Sequence, residues 1–514
     1  MKKLILIQSL VCFMSFGLFA TNYYVSLSGN NTTGLSPANA FLTIQQATNI
    51  VVAGDCVLVA NGAYGSFDHS NLNSGTTLKP IVYKAIGKNV KITTGNAHGH
   101  NAINVENNDC IHIIGFIASG MYTLYGDPAG ANAAGVRIIN SNHSLVKNMI
   151  CDSDIYGVLT GYCNYLTIEH NTCKYDGGSA ARGQHGIYHS NGGDYATIQY
   201  NVCTDNFGAG IQFNPDFSAQ DQPNDGLNTG SNCSFNVIAR NHIGLNTQGL
   251  DGAIISNNLI YENASNAITF YHAESSGGTT NSKVFNNTIV HNAAGRWCIF
   301  LQNEVTNLQI YNNILINNVS GTLGSICFFA DGGTKTFTSD YNVVVNKFCN
   351  VDDGCGNSLA SWQGLGYDAH SILAPALASL FVNPSAGDYH LLSGSVAVNA
   401  GTSLVSGTVS MDMDNMVRPA GGAYDIGCYE YGSTPAGLAL IYSTKNIDLV
   451  VTPGLVYVND LQQTDQVLFM DMTGRIVYNG KYWNSTEASA GIYICIVLDK
   501  TGAALGNKKF ALVH

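Results

Sequence analysis

NMICDS (148–153), NTCKYD (171–176), NVCTDN (201–206), NVIARN (236–241), NLIYEN (258–263), NTIVHN (287–292), NILINN (313–318) and NVVVNK (342–347) are eight copies of one pattern. Each has an Asn, any residue, an apolar residue, two more, and usually a second Asn. The copies begin 23, 30, 35, 22, 29, 26 and 29 residues apart, and self-similarity at such periods is the mark of a solenoid. Two residues after each Asn stands an inward candidate: Ile150, Cys173, Cys203, Ile238, Ile260, Ile289, Leu315 and Val344. Three before it stand Leu145, Ile168, Ile198, Cys233, Ile255, Val284, Ile310 and Ser339. Residues on one face of a strand are an even number apart. These two positions are five apart, so the chain bends between them, and the reading puts the bend at the Asn, which tolerates a left-handed backbone. Stacked on its copies at the ~4.8 Å strand spacing, the Asn amide can also bond up and down the column. No amphipathic helical period runs through the copies. The prediction is an all-β chain, a parallel β-helix whose coils each pair with the next.

The chain has 514 residues, 45% of them hydrophobic and 11% charged, with a net charge of −12. That excludes a disordered protein and disfavours a general binder of nucleic acid or anionic membrane. Met1–Ala20 reads as a signal peptide: Lys2 and Lys3, an apolar run to Phe19, and a small residue for cleavage. No other segment is long enough to span a bilayer. Of the 14 cysteines, Cys173 and Cys203 take a slot that Ile fills in other copies, so buried thiols and a bridge are equally open there. Cys349 and Cys355 flank a loop and are the candidate disulfide. No CxxC pair suggests zinc.

Residues 21–64 carry a strand at Tyr23–Val25, a short helix facing inward through Phe41, Ile44, Ala47 and Val51, and a strand at Cys56–Val59. A helix there would cover the open end of the coils. The stretch resembles the N-terminal segment of exported right-handed β-helix proteins, among them pectate-lyase-like polysaccharide lyases. Residues 346–394 read as irregular, with an acidic Asp352-Asp353 loop and aromatic Trp362 and Tyr367. Residues 395–431, ending MDMDNMVRPAGGAYDIGCYEY, resemble the choice-of-anchor closing segment of bacterial surface β-helix proteins, with Cys428 in place of the usual Ala. Asp412, Asp414, Arg418, Asp425 and Glu430 are expected to form an ion-paired closure over the last coil. From Leu438 the pattern turns to antiparallel alternation, predicting a small β-sandwich. VLFMDMTGRIVYNG, SAGIYICIV and the terminal KKFALVH resemble the type IX secretion sorting domain of Bacteroidetes, although Thr452-Pro453-Gly454 replaces the usual Pro-Asn-Pro. The resemblance implies the type IX secretion machinery as a partner, and release or attachment at the cell surface. The expected organisation is 1–20 signal peptide, 21–100 cap and first coils, 101–394 parallel β-helix, 395–433 closing segment and 434–514 sorting domain, in a monomer.

The expected chemistry lies between Arg182 and Asp225. In the strands after each turn (Val136-Arg137-Ile138, Val158-Leu159-Thr160, Ile187-Tyr188-His189, Ile211-Gln212-Phe213, Ile268-Thr269-Phe270), first and third residues point inward. Arg137, Leu159, Tyr188 and Gln212 then form an outward column, with Asn214 and Tyr271 near it. His185, Tyr188 and His189 are the candidate base and acid, and Arg182 or Lys174 the cation for a substrate carboxylate. In this register His189 also aligns with Ile138 and Phe213, as a core residue would. Arg137, Gln212, Asn214, His272 and Glu274 are expected to bind substrate, with Gln302 and Glu304 following. Asp216, Asp221 and Asp225 lie in one insertion and have the oxygen ligands Ca²⁺ prefers. β-Elimination from a uronic-acid polysaccharide needs such parts: a cation or metal at the carboxylate and a base for the α-proton. Only 22 Lys and Arg in the chain argue against a strongly polyanionic substrate unless Ca²⁺ bridges it. Two other readings stand beside a lyase. One is a non-catalytic adhesin or glycan-binding scaffold, in which these residues diverge in direction. The other is a glycoside hydrolase, for which Glu274 and Asp216 are the carboxylates to examine.

Overall fold

The computed structural model describes residues 20–432, other than 98, 123–132, 178–183, 219–223 and 352–355, and the strand-bearing segments between 449 and 512. Residues 1–19 of the stretch 1–20 read as a signal peptide lie outside them, as do Arg182, Asp221 and Cys355. The chain forms two compact units. The first is Met1–Thr197 with Asn206–Gly208 and Ala219–Asn224; the second is Ile198–Asp205, Ala209–Ser218 and Asp225–His514.

Both units are built from the predicted coil. Each coil lays one short strand into each of three parallel sheets, here A, B and C. In the first unit, successive strands are Leu145–Lys147 and Thr167–Glu169 in sheet A, Ile150–Asp152 and Thr172–Lys174 in sheet B, and Tyr156–Gly161 and Ile187–Ser190 in sheet C. In the second they are Ile254–Ser256 and Lys283–Phe285, Leu259–Tyr261 and Thr288–His291, and Ile268–Tyr271 and Ile299–Leu301. The inner face is apolar and dry: Ile168, Cys173, Ile198, Cys203, Ile238, Ile260, Ile289, Ile310, Leu315 and Val344 are all fully buried.

The Asn column exists, and its geometry corrects the bend. In the second unit each buried Asn accepts the backbone N–H of the Asn one coil earlier: Asn236 from Asn201 onward to Asn342 from Asn313, at 2.8–3.0 Å. Its Nδ2 donates to a backbone carbonyl, as Asn313 does to Val284 at 2.8 Å. The buried amides are thereby satisfied. The left-handed residue, however, is the one before the column: Asn148, His170, Tyr200, Phe235, Asn257, Asn286, Asn312 and Tyr341, with φ of 53–59°. Such a backbone costs a side chain about 1 kcal/mol, and the Asn behind it compensates by capping the turn. The first copy is also out of step by one residue. Met149, not Asn148, donates its N–H to Asn171. Ile150, expected inside, is 40% exposed, and Cys151 faces inward beside Cys173.

The N-terminal helix is Ile44–Thr48, started by a Thr43–Gln46 capping box and burying Ile44 and Ala47. In the second unit, the last coils hold a short helix, Leu359–Gln363, in the stretch read as irregular. Its Trp362 is fully buried, stacks on Phe348 at 4.9 Å and donates Nε1–H to Asp368 at 2.9 Å.

The closing segment does not lie over the last coil. It packs along the outward side of sheet B, where Ala397, Ile426 and Cys428, with Leu380, Phe381, Tyr389 and Leu391 of the stretch before it, cluster with Leu259, Val290, Ile314, Ile316 and Val343. These outward positions are apolar in the second unit, and burying them is what holds the segment there. Of the five charged residues, Arg418 and Glu430 pair at 2.9 Å, fully buried. Asp412 and Asp425 accept backbone N–H groups, and Asp414 bonds His390. Beyond residue 448, Gln466–Asp471, Ile476–Asn479, Gly491–Leu498 and Ala504–Leu512 form an antiparallel sheet, and Leu449–Thr452, Leu455–Val458 and Tyr482–Asn484 another. Phe469, Trp483 and Cys495 belong to their shared core.

Cys349 is disulfide-bonded, whereas Cys173 and Cys203 are buried thiols outside any disulfide. Among the described residues no helix is long and apolar enough to cross a membrane.

Candidate functional site

Sheet C carries the candidate chemistry, in each unit separately. In the first unit the strands Ile103–Glu106, Ala134–Ile139, Tyr156–Gly161 and Ile187–Ser190 stand side by side. Their register places Asn104, Arg137, Leu159 and Tyr188 in one row, since alternate residues of a strand share a face. The predicted column is therefore present here as far as Tyr188. Over it lies a groove of about 520 Å³ whose walls include Glu106, Arg137, Tyr156, Tyr162, Tyr188 and Ser190.

Arg137 is not a bare cation. Its Nη1 lies 2.8 Å from Glu106 Oε2 and 2.8 Å from Asn104 Oδ1. The rings of Tyr156 and Tyr188 are 5.5 Å apart, and His185 meets Tyr188 edge-on at 5.0 Å. Such a wall, with aromatic faces beside a guanidinium and a carboxylate, suits a sugar chain.

The two histidines expected beside Tyr188 do not share its exposure. His185 is 6% exposed, and burial pushes its pKa down to about 3. His189 points into the core, aligned with Thr160. Its Nδ1 lies 2.8 Å from Thr160 Oγ1 and its Nε2 3.1 Å from the Gly193 carbonyl. Burial pushes it down to about 4. Both imidazoles are neutral over the working range, and the ring nitrogens of His189 are engaged in the core. Lys174 sits on sheet B and pairs with Asp152 at 3.1 Å.

In the second unit, Gln212, Asn246 and Thr269 form an outward row, with Gln248 and Tyr271 beside it. Gln212 Nε2 donates to Tyr271 Oη at 2.9 Å, and Asn246 Nδ2 to Gln212 Oε1 at 2.7 Å. Asn214 Nδ2 donates to Glu274 Oε2 at 2.6 Å. His272 sits at the start of the same loop, its Nε2 3.0 Å from the Ser275 carbonyl. The substrate-binding candidates Gln212, Asn214 and Glu274 are thus brought into one network, and Arg137 belongs to the groove of the first unit.

Of the metal candidates, Asp216 and Asp225 are described. Asp216 accepts from Ser218 N and Oγ, and Asp225 from Leu227 N at 3.0 Å. These are local turns, and among the described residues no three acidic, His or Cys side chains gather around a metal position. Asp221, the third residue expected to hold Ca²⁺, lies outside the described residues.

Glu106, Tyr156 and Tyr162 in the first unit, and Asn246 and Gln248 in the second, were not singled out from the sequence. Glu106, Asn246 and Gln248 obey the same alternation as Arg137. Extending the outward register by one coil or by two residues along the strand finds them.

No family model and no curated protein matches the chain. Among solved structures, a pectate lyase, Pel9A, matches 80% of this chain and 97% of its own at 15% identity, with a TM-score of 0.53. An alginate lyase from Paenibacillus sp. str. FPU-7 (17% identity, TM-score 0.40, covering 52% and 92%) and the A-module of the Azotobacter vinelandii mannuronan C-5 epimerase AlgE6 (14%, 0.38, 63% and 91%) are also similar. At these identities the likeness is one of fold, and it rests on the first: this chain shares the right-handed parallel β-helix of a pectate lyase.

Proposed function

We propose that the chain is an exported, monomeric, carbohydrate-active β-helix protein that cleaves a uronic-acid-containing polysaccharide by elimination in the groove of its first unit. The observation that carries the reading is the groove itself, which brings Arg137 and Tyr188 onto one wall. Neighbours of the same fold named for pectate, alginate and mannuronan support the substrate class. Arg137, shared with Glu106, holds the substrate carboxylate. Tyr188, as phenolate, takes the proton α to that carboxylate. The electron pair of the broken C–H bond becomes a C=C bond, the bond to the glycosidic oxygen breaks, and the leaving oxygen recovers a proton. Asp216, Asp221 and Asp225 are the residues that would hold Ca²⁺, which would neutralise the substrate carboxylate beside Arg137. The signal-like 1–20 and the sorting-like 434–514 support export through the type IX machinery.

A second reading, a non-catalytic glycan-binding scaffold, is favoured by one observation: His185 and His189 are buried, and His189 points into the core, while Tyr188 lines the groove.

The test is to incubate the purified protein with polyuronates and neutral glycans, with and without EDTA, following ultraviolet absorbance of the unsaturated product and reducing ends. Elimination gives a rise in both, and its loss with EDTA would place a metal ion in the acidic loop. Reducing ends alone mean hydrolysis, and neither signal on a broad panel favours the scaffold.

A further inference from the structure

The network on sheet C of the second unit has its own logic of donors and acceptors. Gln248 is fully buried. Its Oε1 accepts the backbone N–H groups of Ala273 and Glu274 at 3.0 and 2.9 Å, which fixes the orientation of the amide. Its Nε2 therefore donates, to Asn214 Oδ1 and to Tyr271 Oη. Asn214, its oxygen taken, donates to Glu274. Tyr271 Oη also receives amide donors from Gln212 and Asn246, so its own proton points away from them. His272 Nε2 faces a carbonyl, which only accepts, so Nε2 carries the hydrogen and Nδ1 presents a lone pair.

What this face leaves for a ligand is unbalanced. Glu274 Oε1, His272 Nδ1 and Asn246 Oδ1 are acceptors with no partner among the described residues, and Tyr271 supplies one donor. Thr269 Oγ1, in the row between Asn246 and Phe300, is buried and unpartnered. No Lys or Arg among the described residues joins the network. An acceptor-rich surface without a cation suits sugar hydroxyls, which donate, and opposes carboxylates.

We infer that this face is a second glycan site, taking uncharged, hydroxyl-rich sugar units. Because binding is measured without turnover, failure of either proposal leaves the other standing.

Titrate the full chain calorimetrically with hexaoses of β-1,4-xylan, β-1,4-mannan and β-1,4-glucan, alone and in the presence of an oligogalacturonate. At least one neutral hexaose is expected to bind, undisplaced by the oligogalacturonate. Glu274→Ala and His272→Ala, both at exposed or half-exposed positions, are expected to weaken it roughly tenfold each with unchanged melting temperature. Buried Gln248→Leu should abolish it. The inference is overturned if no neutral hexaose binds at millimolar concentration, if the Glu274 and His272 variants bind like the parent, or if the oligogalacturonate displaces the neutral sugar.

Discussion

On the same outward face of the same kind of sheet, the two units present different chemistry. The first shows an ion pair, Arg137–Glu106, among tyrosines. The second shows amides closed on a phenol and a carboxylate. The interior differs as well. At the bend between sheets B and C, the second unit places Asn241 and Asn263, whose Nδ2 groups donate to the carbonyls of Cys203 and Ile238. The first unit places Asp154 and Asp176 at the corresponding bend. Each accepts a backbone N–H through Oδ1 (from Met121 and Asp154), and each leaves Oδ2 buried without a partner. An acid fits where an amide donates only if it keeps its proton. The coil fixes the backbone, then, and leaves both the outer face and the polar column open to variation.

The largest effect should come from breaking the amide column where it is continuous. Asn287 serves the Asn258 N–H, the Ile255 carbonyl and Asn313, so Asn287→Ala should cost about 3 kcal/mol by leaving several buried groups unmet. Asn171→Ala, beneath Met149, should cost less; chemical denaturation of both variants tests this, and equal losses would erase the contrast. Next, Tyr188→Phe should lower elimination by roughly 100-fold with no change in melting temperature; unchanged turnover would remove the first unit from the chemistry.

Asp176→Asn should bring the first unit closer to the second. Burial raises the Asp154 and Asp176 carboxyls well above the ordinary 3.8, and each raises the other or is raised by Asp152. Cys151 and Cys173 are the other titratable groups at this bend. A raised folded pKa means that the stabilisation is full below about pH 3.8 and is lost as pH rises through the folded value. The Asn variant should therefore be more stable than the parent at pH 8, by about 1–2 kcal/mol, and its unfolding should vary less with pH. A protonated-carboxyl infrared band in the parent at pH 7, weakened in the variant, checks the same point.

The smallest effect belongs to the closing segment. His390, held by Asp414 and Asp388, is raised to about 9, so its contribution is full below about 6.5 and fades as pH rises through 9. Being half-exposed, the pair contributes only a few tenths of a kcal/mol. His390→Ala should lower the melting temperature slightly at pH 6 and not at pH 10.

Much of the fold was legible because a solenoid repeats its own constraints. The Asn spacing, the alternation on sheet C and the helix at Ile44 all follow from local geometry. The shifted first copy was not legible, since Asn148 imitates a column residue and only hydrogen bonding shows that Met149 holds the slot. The position of the closing segment was equally hidden. Leu259, Ile314 and Ile316 read as ordinary strand residues, and what covers their outward side depends on a segment more than a hundred residues away. Of the site, the outward row through Tyr188 was legible from alternation, but the groove and the pairing of Arg137 were not.

The sequence by itself determined the coil, its period and, in every copy but the first, which residues face in, because strand geometry and backbone hydrogen bonding fix that pattern. Only the tertiary structure decided which outward residues meet and which histidines are buried and neutral. Those outcomes depend on loop paths and neighbouring coils, which a local pattern does not encode.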